Sequence, residues 1–393
     1  MAEKKVGDKK ADIEKWIEEA VSRGMEVDQI RDLLKANGYS NEQIKSVMEV
    51  RHRLQKQHKI NSKRDVKKRP DLGDVPEDIR EVYDLISKVR KEVQKAVIGQ
   101  ETTIDAFMCA LLCDGHVLLE GVPGIAKTLL VKTLAHASGC TSKRIQFTVD
   151  LLPSDILGMT TYTPEKGFET IKGPIFANFI VADEINRSPP KTQSAMIEAM
   201  QEKQVTIGKE TFQLPRPFFV MANNNPLESS GVYNLPEAQV DRFLFKVLMG
   251  YPKLHEEEKI IEHNINLKKF DTYEINPVLS PEKIMEMQQI TKNIYMDDKV
   301  KNFIVRITEK TRKKDFHHGQ YIDWGGSPRA SIGLFIASKA WALMNGRNFV
   351  IPQDVKDIAH YVLRHRVILN YKAMAEGITS DKIINEILGM VGV

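Results

Sequence analysis

The stretch EGVPGIAKT, residues 120–128, lies between an apolar run, HVLLE (116–120), and a segment with helical spacing. A strand, a glycine-bearing turn and a helix, in that order, bring backbone N–H groups and a helix N-terminus to face one anion. Gly121 and Gly124 leave the backbone free to curl toward phosphate oxygens. Lys127 reaches the outer phosphates, and the Thr128 hydroxyl is a ligand for Mg2+. Ala126 stands where the usual pattern has glycine. Its place at the start of the helix predicts a negative φ, at which a methyl group is harmless. Taken alone, the loop also fits a purely structural glycine turn.

Downstream, FIVADE (179–184) ends an apolar strand with two adjacent carboxylates, Asp183 and Glu184. Acids there are costly unless used. In phosphoryl transfer the first holds the Mg2+ shell and the second polarises the attacking water. Ser188 and Pro189 then predict a helix start. RIQFTV (144–149), PFFVMA (217–222) and RFLFKVL (242–248) supply three further strand-like runs. Five such runs separated by helical segments predict an α/β fold with a five-stranded, mostly parallel sheet.

Working outward, residues 77–252 form this α/β domain and 253–393 a helical lid, in which strands cease. A long amphipathic helix covers about Glu77–Lys95. Residues 1–55 read as a three-helix module, with Ile13, Trp16, Ile17, Ala20 and Val21 at helical spacing before Gly24. Residues 56–76 read as a basic linker. Residues 1–70 carry 18 lysines and arginines against 12 acids, and the remainder 39 against 41. The run KQHKINSKRDVKKRP (56–70) lacks aromatic or groove-reading residues, so it reads as solvated chain rather than a nucleic-acid contact.

The motifs VADEINRSPPKTQSAMIEAMQEKQVTIG and MANNNPLESSGVYNLPEAQVDRF resemble those of the MoxR family of AAA+ ATPases, through most of residues 90–370. A loop reading GxPGxAKT, alanine included, is similar to that family's own. The resemblance implies a P-loop NTPase core, ATP with Mg2+ as cofactors, and hydrolysis in a homo-oligomer, a hexameric ring. It implies nucleotide contacts at Val97, Ile98, Gly99, Gly121, Val122, Pro123, Gly124, Ile125, Ala126, Lys127, Thr128 and Leu129. It implies Mg2+ ligation by Thr128 and Asp183, catalysis by Glu184, a sensor at Asn225, an arginine finger at Arg242 and a lid sensor at Arg329. Whether Arg329 serves its own or the adjacent subunit's site stays open. GMTTYTPEKGFETIKGPI (158–175) looks like the helix-2 insert, and QVTIGKETFQL (204–214) like a hairpin before the sensor strand; Tyr162 and Phe168 are placed to grip a polypeptide or to pack on the domain. Family members act as chaperone-like remodelers that mature or load client proteins, often beside a partner with a von Willebrand A-type domain.

Two other classes remain. Minichromosome maintenance helicases share these insertions, yet the near-neutral balance after residue 79 and the lack of zinc spacing argue against nucleic acid. A nucleotide-switched scaffold is disfavoured by Glu184. The 393 residues are 42% hydrophobic and 28% charged, with net charge +4, as in soluble globular proteins. No signal peptide is expected at the N-terminus, and the longest apolar stretch, about 332–344, is interrupted by Lys339 and too short for a membrane span. Three cysteines fit no disulfide or zinc framework, and a cytoplasmic location is expected. His317-His318 lacks partners at useful spacing and reads as polar loop. VLRHRVIL (362–369) is expected to make ion pairs.

Overall fold

Four of the five apolar runs fall within three residues of where the chain forms strands, and the fifth loses its first three residues to a turn. The computed structural model describes residues 75–122, 124–165, 167–224, 232–263 and 270–392. The N-terminal module, nearly all of the basic linker, Pro123 and Asn225 lie outside the described residues. In chain order, β1 (Val117–Gly121) and β2 (Ser142–Gln146) precede an antiparallel ribbon, β3 (Gly158–Thr163) and β4 (Gly167–Lys172). β5 (Phe179–Asp183) follows, then a second ribbon, β6 (Gln204–Ile207) and β7 (Glu210–Gln213), before β8 (Phe219–Asn224) and β9 (Phe245–Met249). Strands β1, β2, β5, β8 and β9 form one parallel sheet in the order β2-β5-β8-β1-β9. Both ribbons match the two insertions expected from the sequence.

Helices α1 (Glu77–Gln94), α2 (Glu101–Leu112), α3 (Lys127–Ala137), α4 (Pro153–Leu157), α5 (Pro190–Glu202) and α6 (Glu237–Val240) belong to the sheet domain. The lid comprises α7 (Leu254–His263), α8 (Pro281–Asn293), α9 (Asp298–Lys313), α10 (Pro328–Met344), α11 (Pro352–Leu363), α12 (Tyr371–Ala375) and α13 (Ser380–Met390). It is not wholly helical: β10 (Ile322–Trp324) and β11 (Ile368–Leu369) pair antiparallel. Strands of three and two residues are too short to show a period of two. Ser188 does not cap α5 either. Its hydroxyl donates to Ile185 O at 3.3 Å, and Pro189 takes the cap position with extended backbone.

Alternation along the strands divides the core between the two faces of the sheet. Val117, Leu119, Val181, Met221 and Val247 face α1–α3 and the lid, whereas Leu118, Ile180, Ala182 and Val220 face the α5 side. The lid therefore shares one continuous core with the sheet domain. No helix among the described residues is long and apolar enough to cross a membrane.

Two buried histidines join these layers. His116 Nδ1 accepts from the Val220 N–H at 3.1 Å, so Nε2 carries the proton and donates to Met200 O at 3.0 Å. His365 Nε2 meets Phe243 O at 3.0 Å. Burial pushes His116 down to about 4, and burial with the Arg366 charge holds His365 well below the usual histidine range. Both groups fold neutral, so the unfolded chain binds more protons below pH 6.5. Their stabilisation is complete above that pH and declines as pH falls, His116 losing about 1.4 kcal/mol per unit down to pH 4. Urea midpoints measured between pH 7.5 and 5 should fall accordingly, and His116→Gln should flatten part of the slope. An unchanged slope in the variant would remove His116 as a cause.

Candidate active site

The loop after β1 starts as close to the sheet as a backbone allows. A Cβ on Gly121 would lie 2.5 Å from Met249 O, so only glycine lets β1 leave the sheet there. Gly124 turns at φ +83, with open space where its side chain would be. Ala126 also turns left-handed, at φ +61, and caps α3. That overturns the expected negative φ and shows why the usual pattern has glycine at this point. Lys127 folds back, its ammonium donating to Gly121 O at 2.5 Å. Burial pulls its pKa down, while Asp183, Glu184 and Glu120 pull it up.

Gly124, Ala126, Lys127, Thr128 and Leu129 share one cleft of about 410 Å³ with Asp183, Glu184 and Asn223. An adjoining apolar cavity of about 350 Å³ is lined by Ala96, Val97, Ile98, Ile125, Leu129 and Tyr251, among others. Gly99 serves the turn beside it: at φ +71 it packs so that a Cβ would lie 2.7 Å from the Glu256 carboxylate carbon. Val122 is half-buried on the loop.

Register brings the acid pair to this cleft. Ala182 lies opposite Ala222 on the neighbouring strand, so Asp183 and Asn223 follow side by side. Asn223 Nδ2 donates to Asp183 Oδ1 at 2.5 Å, and its Oδ1 accepts from the Glu184 N–H at 2.5 Å. The second oxygen of Asp183 accepts from Arg144, Nε at 2.8 Å and Nη2 at 2.5 Å. Glu184 turns at φ +56, and its Oε2 accepts from Gln146 Nε2 at 2.7 Å and from Arg187 Nη1 at 3.1 Å. Asn223, Arg144 and Gln146 are the site residues that sequence reading missed. An asparagine on a buried strand next to the acid pair is the signal that could have found the first.

Arg242 and Arg329 lie elsewhere. Both are exposed and border a depression with Asp114, His116 and Lys203, at the edge of the sheet where β1 and β9 begin. The loop that holds Lys127 lies at the opposite edge, about 16 Å away for a five-residue strand. Asp241 ties that edge to the lid: Arg366 Nε donates at 2.7 Å and the Ser327 hydroxyl at 3.1 Å, with Arg329 Nη1 at 3.6 Å. As expected, the VLRHRVIL segment makes ion pairs, Arg366 with Asp241 and Arg364 with Asp381, the latter at 2.7 Å.

Residues 116–245 match the ATPase family associated with various cellular activities (AAA), and residues 315–387 the AAA lid domain. Chaperone MoxR1 of Mycobacterium tuberculosis is 45% identical over 305 residues, 76% of this chain and 80% of that protein. The chain belongs to the MoxR family of AAA+ ATPases. YeaC of Bacillus subtilis is 43% identical over 314 residues, 80% of this chain and 96% of that protein. A crystal structure of a candidate ATPase from Cytophaga hutchinsonii superposes with TM-score 0.75 at 43% identity, covering 80% of this chain and 97% of that one. As an AAA+ ATPase the chain has its nucleotide loop, acid pair and lid in the order the fold requires.

The alanine in this family's loop has an energetic consequence. A left-handed residue with a Cβ costs roughly 1–2 kcal/mol, part of which glycine would give back through unfolded-chain entropy. Ala126→Gly should therefore raise the stability of nucleotide-free protein by up to about 1 kcal/mol, read as a higher urea midpoint. A lower midpoint would show that the strain is relieved elsewhere.

Proposed function

We propose that this ATPase hydrolyses Mg2+·ATP at sites completed by neighbouring subunits of a ring, and converts the turnover into remodelling of client proteins. The observation that carries the reading is the convergence of the Lys127 loop with Asp183, Glu184 and Asn223 in one cleft, while Arg242 and Arg329 stand at the far edge of the sheet. The Thr128 hydroxyl and the Asp183 carboxylate are hard oxygen donors, suited to Mg2+. Asp183 is buried and already draws a cation, the Arg144 guanidinium, which fits a metal-binding acid. The metal, when bound, neutralises phosphate charge. Arg144 is half exposed.

In this reading the triphosphate lies on the backbone N–H groups from Gly124 to Leu129, and the adenine against Val97, Ile98 and Ile125. Lys127 leaves the Gly121 carbonyl for the outer phosphates. Glu184 takes a proton from the attacking water, with Asn223 fixing the backbone from which it projects. Asn225, outside the described residues, is proposed as the polar sensor. Arg242 and Arg329 offer their guanidinium groups to the nucleotide of an adjacent subunit, where they balance charge in the transition state. An oligomer follows from that division of labour, and a hexamer is the proposed size. Tyr162 is 64% and Phe168 80% exposed on the β3-β4 ribbon, with rings 5.2 Å apart, a surface suited to gripping a polypeptide. Clients matured or loaded with a cofactor, and a partner bearing a von Willebrand A-type domain, are proposed from the family.

Two experiments test it. Glu184→Gln should retain ATP and lose turnover by 100-fold or more, on the order of one catalytic base; a variant that still turns over removes Glu184 from that role. Arg242→Ala and Lys127→Ala should each be inactive alone and regain part of the activity when mixed, because the mixed ring holds interfaces with one intact loop and one intact finger. Mixtures as inactive as their parts would sink the shared site.

A further inference from the structure

Outside the nucleotide site, the described residues bring two imidazoles and a carboxylate together in the lid. His317 and His318 open a tight turn, His317–Tyr321, and Glu386 projects from α13, 68 residues beyond His318. Sequence spacing gave the histidine pair no partner. Folding supplies it, because buried Ile383, Ile384 and Ile387 seat α13 in the lid core and leave Glu386 on the face toward the turn.

We propose that His317, His318 and Glu386 form a binding site for a divalent transition-metal cation of the zinc class. Their ligand atoms lie within 4.8 Å of one another. The two Nδ1 atoms are 3.3 Å apart, with ring planes at 85°. A tetrahedral cation at 2.0–2.1 Å from two nitrogens sets them about 3.3–3.4 Å apart, so the histidine pair already spans one edge of that tetrahedron. His318 Nδ1 also contacts Glu386 Oε2. Proton counting favours a cation: a single Nδ1 proton on His318 has to serve both Glu386 and His317. A metal accepts a lone pair from each of the three and leaves the fourth position to water.

The donor set chooses the ion. Two imidazoles and one carboxylate suit Zn2+, Ni2+ or Cu2+ and rank poorly for Mg2+ or Ca2+, which take oxygen ligands. The site is therefore chemically separate from the Thr128 and Asp183 oxygens, and its failure or success leaves the nucleotide reading untouched. His318 and Glu386 are mostly buried, at 15% and 17% side-chain exposure, whereas His317 is exposed and gives the ion its entry. A bound ion would join the turn before β10 to the C-terminal helix.

The test uses the full chain, treated with chelator and then titrated with Zn2+ by calorimetry without nucleotide. The expected result is about one strong equivalent per chain, weakened more than tenfold in His318→Ala and in Glu386→Gln, since losing even an outer partner of a ligand costs 10–100-fold. Melting curves without metal report whether each variant folds. Should either fail to fold, His317→Ala, whose side chain is exposed, reads the same loss. Zn2+ should raise the melting temperature of the parent and not of the variants, because the ion binds only the folded lid. No strong Zn2+ uptake by the parent, or uptake by the variants as tight as the parent's, overturns the proposal.

Discussion

A carboxylate buried at the end of an apolar strand has to be neutralised by what its neighbours bring. Leaving such a charge unpaired costs several kcal/mol, and the architecture around Asp183 answers that need. The parallel register of β5 and β8 places Asn223 beside it, and β2 on the other side contributes Arg144. The same asparagine takes the Glu184 N–H and so holds the next residue in a left-handed turn that few side chains adopt unaided. One neutralised acid thereby aims a second one into the cleft. The order of strands in the sheet and the chemistry at its edge are parts of one solution.

Asp241 plays the matching part at the opposite edge. It joins Arg366 from the turn after α11, Ser327 from the cap of α10 and Arg329 from its first turn. Arg329, proposed to reach a neighbour's nucleotide, is thus held by the same carboxylate that joins lid to sheet within one chain. Coupling between sites needs such a shared element, whose arrangement both can bias.

Much of this was legible in the sequence, for identifiable reasons. Buried strands of a parallel sheet are nearly continuous apolar runs, so FIVAD announced itself, and so did the acids at its end. The glycines at 121 and 124 reported a backbone requirement directly. Ala126 misled because position relative to a helix does not determine φ at the cap. Asn223 was missed because motif matching ranks residues by pattern, whereas register decides which side chain meets Asp183. Arg144, Gln146 and Glu386 were invisible for a simpler reason: their partners lie 38 to 68 residues away along the chain, and only packing brings them together. The β10-β11 pair was too short to signal itself.

The lid grips the sheet domain in an unusual currency. Arg364 Nη1 donates to Lys246 O at 2.8 Å, and Arg366 donates to Leu244 O at 3.0 Å and Phe243 O at 2.7 Å. His365 Nε2 meets the same Phe243 oxygen at 3.0 Å. All of these acceptors are main-chain oxygens, present whatever residue occupies the position. The acceptors persist through substitution, although Phe243 and Phe245 are fully buried and their side chains stay constrained by packing. On the lid side Arg364 and Arg366 need their length and donors, and His365 its ring nitrogen. The fastening itself is therefore one-sided: its specificity resides in the side chains of residues 364–366, and residues 243, 244 and 246 lend it only main-chain oxygens.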